Sequence, residues 1–456
     1  MYRKKNIKQF RKILLFLLCK HNYERSEFMN KTSKKEFAES IADLSMPIAK
    51  SIYGDKPNQC IVNRIKEEAE ALAEMGIDDL DLLAVGAELS KQAMAGNIYI
   101  PRTSSFNSLV YYLLGLSNVN PLPRHTYCPK CHMFYWGNKE SDVCPDCGEK
   151  LFEDGYDLPF ALLKDDIKRI GFMIDYSCCI RKTYLCRDYE LRLLLNPLAQ
   201  LASKLGLEQE EISIRNFDQE EIIKCLDKNY YSRRYLKEKL LNHQAFIGLP
   251  TLGSGMLQDY LKEYKVNNFD ELVDLICMMH GTKVYDSCEE NLVDINKPNI
   301  KDCITSRDDL FKFLKLNQFS DEDAVILCRE TRINGSGHLS SLSETKLKEA
   351  GVEEKYVSFM KNIGYIFHKG HVVGHTKLEF IIAKIYLEDP IRYYRAFFSL
   401  HKDLMASISE NDDFIKRLVE TRNNELEKIY LAIIDLMERG FNPKKLISEI
   451  KNEKEE

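Results

Sequence analysis

The reading turns on residues 118–160. They run Asn118-Val119-Asn120-Pro121-Leu122-Pro123-Arg124-His125, then Cys128-Pro129-Lys130-Cys131, then Cys144-Pro145-Asp146-Cys147-Gly148, then Asp154-Gly155-Tyr156-Asp157-Leu158-Pro159-Phe160. The two C-x-x-C knuckles are separated by twelve residues. Each puts two thiolates on one tight turn, and two such turns can close a tetrahedron around Zn2+. Four protein ligands leave no open position, so the expected metal is structural rather than catalytic. His132 is a neighbour and is not needed as a ligand. The segment has little apolar sequence of its own, so the free energy of metal binding is expected to serve as folding free energy.

The chain has 456 residues, enough for two to four domains, and is 44% hydrophobic, so it can bury real cores. Its formal net charge is −5. A protein held to DNA by overall charge would be basic, so any DNA contact must come from local patches. Arg233, Arg234, Lys237 and Lys239 form one such cluster, which also reads as a solvated helix face. Ten of the 14 cysteines lie outside the knuckles in no regular framework. Free thiols in a large chain point to a reducing compartment, here the cytoplasm. The apolar run Ile13–Cys19 is too short to span a bilayer and no cleavage site follows it, so neither a membrane anchor nor secretion is expected. Codons for Arg25-Ser26 can spell a ribosome-binding sequence ahead of Met29. Residues 1–28 are therefore read as a non-native extension.

Helical spacing of Ile61, Ile65, Leu72 and Met75 predicts helices across 33–96, with Gly76 as a stop. Asn97–Pro101 reads as extended. Leu249–Gly255 reads as a hinge-like loop and Asn334–Gly337 as a turn. Helices are expected at Phe269–Met279, Arg307–Phe319 and Leu378–Leu387. One long helix is expected over 411–439, with Phe414, Ile415, Leu418 and Val419 on one side and Gly440 ending it. The tail after Ile450 is charged and expected to fray. The predicted class is α+β, predominantly helical.

The flanks of the knuckles carry a resemblance. Val119–His125 before them and Asp154–Phe160 after them resemble "VNPLPPHY" and "DGHDIPFE" in the PolC-type alpha subunit of DNA polymerase III, which places a four-cysteine module between the two. Further on, Gly248–Gly253 resembles "GIPEFG", and Phe269–Val273 with Met279–Tyr285 resembles "FSELV" and "SHGTDVW". Ser306–Asp309 resembles "CRDD", Ile366–His371 resembles "MFPKAH", and Met437–Phe441 resembles "CERGF". Order and spacing agree over about 50–160 and 195–445. The resemblance implies a polymerase palm with an inserted zinc module, followed by helical fingers. By residue range it implies a partial palm-like region over 29–127, the zinc module over 128–160 and a reduced palm remnant over 161–245. Fingers-like helices would cover 246–445, and 446–456 would be a tail. It also carries Arg102, Ser104, His280, Gly281, Arg307, Lys369 and His371 over as nucleotide- or DNA-contacting candidates. Cations of this kind suit phosphate oxygens.

The same resemblance exposes what is lacking. The family holds two metal ions on an Asp-x-Asp pair shortly after "DGHDIPFE". Here Lys164–Tyr176 contains none, and Asp175 alone stands near that place. Asp165 and Asp166 are adjacent and would face opposite ways on a strand. Asp188 stands near the place of a third carboxylate. Only about 85 residues separate Phe160 from Phe246, against well over a hundred in the family. The phosphate-cradling loop "SRGSVGSS" reads Pro101-Arg102-Thr103-Ser104-Ser105-Phe106-Asn107-Ser108, without its glycines. Two readings follow. In the first, a shortened, polymerase-inactive homologue with no catalytic residues binds primer-template DNA, a nucleotide or a replisome protein, with Zn2+ as its structural metal. In the second, a minimal polymerase with repositioned carboxylates uses Mg2+.

Overall fold

Side-chain caps and apolar periodicity set the first elements. The computed structural model describes residues 33–137, 141–171, 173–186, 189–209, 211–213, 220–226, 246–292, 299–333 and 339–452. Three helices open it: α1 (Lys34–Tyr53), α2 (Gln59–Glu74) and α3 (Asp79–Met94). Ser33 with Glu36, and Asp78 with Asp81, form capping boxes, and Asn58 caps α2. Each box satisfies two helix-start amides reciprocally. Strand β1 (Tyr99–Pro101), a 3-10 turn (Thr103–Asn107) and α4 (Leu109–Leu113) follow. Glu68 of α2 is fully buried. It accepts from the Leu109 and Val110 amides, both at 3.0 Å, and from Ser108 Oγ at 2.8 Å, and so caps α4 from outside.

A small antiparallel sheet comes next, in the order β3-β2-β4, from β2 (His125–Tyr127), β3 (Phe134–Trp136) and β4 (Phe152–Asp154). Its two connections carry the cysteine knuckles. After α5 (Phe160–Ile170), strands β5 (Met173–Cys178), β6 (Lys182–Cys186) and β7 (Tyr189–Leu195) join β1 in a second sheet ordered β1-β5-β7-β6. β5 and β7 are parallel, and β1 and β6 run antiparallel to their neighbours. Strand alternation turns Ile174, Tyr176, Leu191 and Leu193 into the core shared with α1–α3, and places Asp175, Ser177 and Arg192 on the opposite face.

The remainder is helical: α6 (Pro197–Lys204), α7 (Glu220–Leu226), α8 (Gly255–Glu263), α9 (Phe269–His280), α10 (Val284–Asn291), α11 (Arg307–Leu316), α12 (Asp321–Ile333), α13 (Ser341–Glu349), α14 (Glu354–Asn362), α15 (Lys369–Glu388), α16 (Pro390–Leu400), α17 (Lys402–Met405), α18 (Phe414–Glu420), α19 (Asn424–Glu438) and α20 (Pro443–Asn452). The chain is thus α+β and predominantly helical. Helix α15 is buried along most of its length. The core around it also takes in Ile98, Phe106, Val119, Leu158 and Leu162 from the first half of the chain. Among the described residues no helix is long and apolar enough to cross a membrane.

Several expectations are corrected. The helix expected over 411–439 is two, α18 and α19. Asp413 and Asn423 each accept from amides of the following turn, and a cap residue inside an apolar pattern offers the backbone a second start. Ile415 and Val419 are 42% and 78% exposed, so the predicted apolar side is not one buried face. Asp165 and Asp166 lie on helix α5, not on a strand. The Leu249–Gly255 segment is a turn held by Glu379, whose carboxylate accepts from the Thr251 and Leu252 amides at 3.0 and 2.7 Å. Helix α20 runs through Asn452 with Ile450 buried. Residues 1–28, the Arg233–Lys239 cluster, Asp188 and the Asn334–Gly337 turn lie outside the described residues.

Candidate functional site

The four knuckle cysteines meet. Their Sγ atoms all lie within 4.8 Å of one another. Cys128 Sγ stands 3.5 Å from Cys147 Sγ, and Cys131 Sγ stands 3.4 Å from Cys144 Sγ. Thiolates about 2.3 Å from a tetrahedral ion lie roughly 3.8 Å apart, so these four fit one metal ion. The amides of Lys130 and Cys131 both point at Cys128 Sγ at 3.4 Å, stabilising it as a thiolate. Burial acts against ionisation at Cys128, but the Cys131 and Lys130 amides outweigh it and draw the thiol down to about 7. Among the described residues, Leu151 and Met133 pad this site beside the cysteines. His132 turns away and shares a hydrogen bond with the Ile52 carbonyl, 3.1 Å.

On the face of the larger sheet turned away from α1–α3, Asp175 and Arg192 are direct cross-strand neighbours. Arg192 donates from Nε to Oδ1 and from Nη2 to Oδ2, both at 2.7 Å. Glu190, two residues before Arg192, shares its strand face. A carboxylate that could hold a metal is therefore held by a guanidinium. Arg102, from β1's edge, donates its amide to the Asp175 carbonyl at 3.0 Å and reaches Ser177 Oγ at 3.5 Å.

From Ser104 to Ser108 the segment is built into the interior. Thr103 adopts φ 56°, in the left-handed region where glycine is at ease and a β-branched residue is not. Ser104 Oγ donates to Asp166 Oδ2 at 2.5 Å. Phe106 is fully buried against α15, where glycines leave it room. A Cβ on Gly370 would lie 2.5 Å from Phe106 Cβ, and one on Gly374 would lie 2.5 Å from Phe106 Cε1.

Arg307 is fully buried at the start of α11. It lies 3.3 Å from Asp166 Oδ2 and 3.6 Å from Asp165 Oδ2. Arg169 bonds Asp165 at 3.1 Å and Asp166 at 2.6 Å, and Arg329 bonds Asp165. Lys369 forms ion pairs with Asp274 at 2.7 Å and Asp309 at 3.1 Å. Burial alone would discharge it, but the charges of Asp309 and Asp274 hold its pKa well above the usual lysine value. His371 and His375 stand four residues apart on α15 with ring centroids 4.2 Å apart. His280 is exposed at the end of α9, its ring 5.4 Å from that of Phe367. Gly281 closes α9, and a Cβ there would lie 2.4 Å from Val284 Cγ2. Of the candidates from sequence, then, His280 and His371 both meet the Phe367 ring, while Arg102 lies at the edge of the larger sheet. Ser104, Arg307 and Lys369 are engaged with internal carboxylates.

Comparison with known proteins finds relatives along most of the chain. Residues 39–163 match the family described as the bacterial DNA polymerase III alpha NTPase domain. DNA polymerase III PolC-type of Thermotoga petrophila is 22% identical over 89% of this chain and 39% of its own length. The chain is a relative of the PolC-type DNA polymerases III. The PolC-type proteins of Clostridium perfringens (22% identical) and Bacillus subtilis (21%) align over 89% and 90% of this chain, and over 36% and 37% of theirs. The chain thus spans under two fifths of the length of these PolC-type relatives. The Thermotoga petrophila alignment runs 533 positions, yet 89% of 456 residues is about 406. About 127 aligned positions of that PolC-type protein (533 less 406) therefore have no partner here.

Sequence reasoning missed the carboxylate–arginine cluster of Asp165, Asp166, Arg169, Arg307 and Arg329, and also Arg192. No local pattern marks Arg192, since its role depends on strand register. The paired glycines Gly370 and Gly374, one helical turn apart, were the available signal for the seat of Phe106.

Proposed function

We propose that this chain is a polymerase-inactive homologue of the PolC-type alpha subunit that takes part in DNA replication by binding, as a decoy or regulator of the replicative polymerase. The ligand in this reading is primer-template DNA or a nucleotide at the sheet face that carries Asp175 and Arg192, or else a replisome protein. The carrying observation is the bidentate Arg192–Asp175 pair. A polymerase site must hold two metal ions on carboxylates, and here the guanidinium of Arg192 occupies both oxygens of Asp175. The palm-like, zinc and fingers-like division at 29–127 with 161–245, 128–160 and 246–445 belongs to this proposal, as does a cytoplasmic setting. Cys128, Cys131, Cys144 and Cys147 would hold Zn2+ as a closed structural site that folds the loop between β2 and β4.

The test is primer extension with zinc-loaded protein in Mg2+ or Mn2+, beside a gel shift on the same primer-template. Retention without extension, weakening steeply with salt, is expected. Extension that disappears in Asp175→Ala would overturn the reading. The presence of Glu190 on the same face as Asp175 favours one alternative, a minimal polymerase with repositioned carboxylates, and the same assay decides it.

A further inference from the structure

We propose that Cys178 and Cys179 form a reversible thiol-modification site, at which a low-molecular-weight disulfide is reduced and the pair closes into a disulfide of its own. The two cysteines are consecutive, and β5 ends at the first of them. On a continuing strand, consecutive side chains point to opposite faces. Here the strand stops. Cys178 is buried in the core shared with α1–α3, and Cys179 packs, partly buried, against that same core. Both side chains therefore serve one side, and Cys179 is the one that solvent reaches. Outside the knuckles Cys225, Cys277, Cys288 and Cys328 are buried, so a reagent in solution meets Cys60, Cys179 and Cys303 among the described residues. Of these three, Cys179 alone has a second thiol on the next residue.

Cys179 is placed to attack. As a thiol it donates to Asn97 Oδ1 at 2.8 Å, and Asn97 Nδ2 donates in turn to Gln92 Oε1 at 2.8 Å, so the sulfur has a fixed seat. The Cys178 thiol first, then the Ser203 hydroxyl and the Ile98 amide, draw Cys179 down to about 6 against the effect of burial. The same contact, with burial, pushes the Cys178 thiol up. The pair thus gives up one proton readily, from Cys179, and keeps the other on Cys178. The thiolate is the attacking form.

The chemistry is thiol–disulfide exchange. The Cys179 thiolate attacks one sulfur of R–S–S–R. A bond forms from Cys179 Sγ to that sulfur, the old S–S bond breaks, and R–S− leaves and takes up a proton. Cys178 Sγ, losing its proton to water, then attacks Cys179 Sγ and expels the second R–S−. The protein dithiol is oxidised by two electrons, and one disulfide becomes two small thiols. Consecutive Cα atoms lie about 3.8 Å apart, closer than the roughly 4.4–6.8 Å that ordinary disulfides span. Closing the ring also turns the peptide whose carbonyl, on Cys178, accepts from the Asn196 amide at 2.9 Å. The product is strained, and strained disulfides are readily reduced. That makes the bond a reversible modification rather than a structural link.

Trypsin releases residues 170–181, which hold both cysteines and no other. The zinc-loaded full chain is treated with oxidised glutathione and that peptide is followed by mass spectrometry. It should lose two hydrogens without a lasting glutathione adduct, and excess reduced glutathione should restore it. Its rate should change by about twofold or less between pH 7 and 8, where a free cysteine gains several-fold. Cys178→Ser should accumulate a glutathione adduct on Cys179, and Cys179→Ser should leave Cys178 unmodified. Thermal melts establish that both variants fold. Iodoacetamide labelling of the unaltered chain gives a second reading, with Cys179 alkylated before Cys178. A lasting adduct in the unaltered chain, or a closed pair that reduced glutathione cannot reopen, overturns the proposal. So does adduct formation at Cys60 while the 170–181 peptide stays unmodified, or alkylation of Cys178 first.

Discussion

Arg192 grips both carboxylate oxygens of Asp175 at 2.7 Å from the directly opposing position of the parallel neighbour strand. Parallel strands lie about 4.8 Å apart, so opposed side chains meet as a pair. Replacing the arginine by a carboxylate would set two acids side by side, with Glu190 close by. Arg192→Asp is therefore expected to bind Mn2+ where the parent does not, read by the relaxation rate of water protons. Absence of any gain would show that this face cannot hold a metal even when freed.

The four-thiolate site should carry one zinc per chain. Cys131→Ser, or treatment with a strong chelator, should release it, as metal analysis can count. Because Leu151 and Met133 are the apolar padding of the cysteines among the described residues, the loss should open the 128–151 segment to protease while the α15 core remains resistant.

Arg307 is fully buried between Asp165 and Asp166. Arg307→Met would leave the two carboxylates to Arg169 and Arg329 alone. A cost of about 3–5 kcal/mol is expected from urea denaturation. Replacing both acids and the arginine together by apolar residues of similar volume should recover much of it. A small cost for the single change would mean that water reaches the cluster.

Glu379 links α15 to the Leu249–Gly255 turn. Burial pushes its carboxyl up to about 7 from 4.5, against the pull of the Leu252 and Thr251 amides. An acid with a raised folded pKa keeps its proton longer in the folded state. Its contribution to stability is complete below about 4.5 and is lost as pH rises through about 7. The loss is on the order of 3 kcal/mol. Glu379→Gln should remove this slope from denaturation curves taken between those values.

Phe106 and Gly370 are matched in shape. Gly370→Ala should cost about 1–3 kcal/mol by overpacking, and Phe106→Ala about 3 kcal/mol through the cavity it leaves. The double variant should be more stable than the sum of the two predicts, by about 1 kcal/mol or more. Strict additivity in thermal melts would show that the two positions do not sense each other.

The clustering of the four cysteines, the helices over 33–96 and the family resemblance were all legible in the sequence, because each depends on residues close together in the chain. Cysteine spacing fixes a knuckle, 3.6-residue periodicity fixes a helix face, and the motifs around the knuckles persist as strings. The absence of an Asp-x-Asp pair in Lys164–Tyr176 was equally plain. The rest is long-range. Whether Asp175 is free depends on strand register, which sets Arg192 opposite it from 17 residues away. Whether Asp165 and Asp166 face apart or together depended on α5 being a helix. Arg307, 141 residues from Asp166, became an internal counter-ion only when α11 packed beside α5. The sequence by itself determined the four-cysteine cluster, the helical character and the resemblance to the PolC-type polymerases, whereas tertiary packing decided which charged side chains are engaged internally and left His371 Nδ1 and His375 Nε2 buried without hydrogen-bond partners. The physical reason is that a charge's role is set by its neighbours in space, and the chain brings those together only on folding.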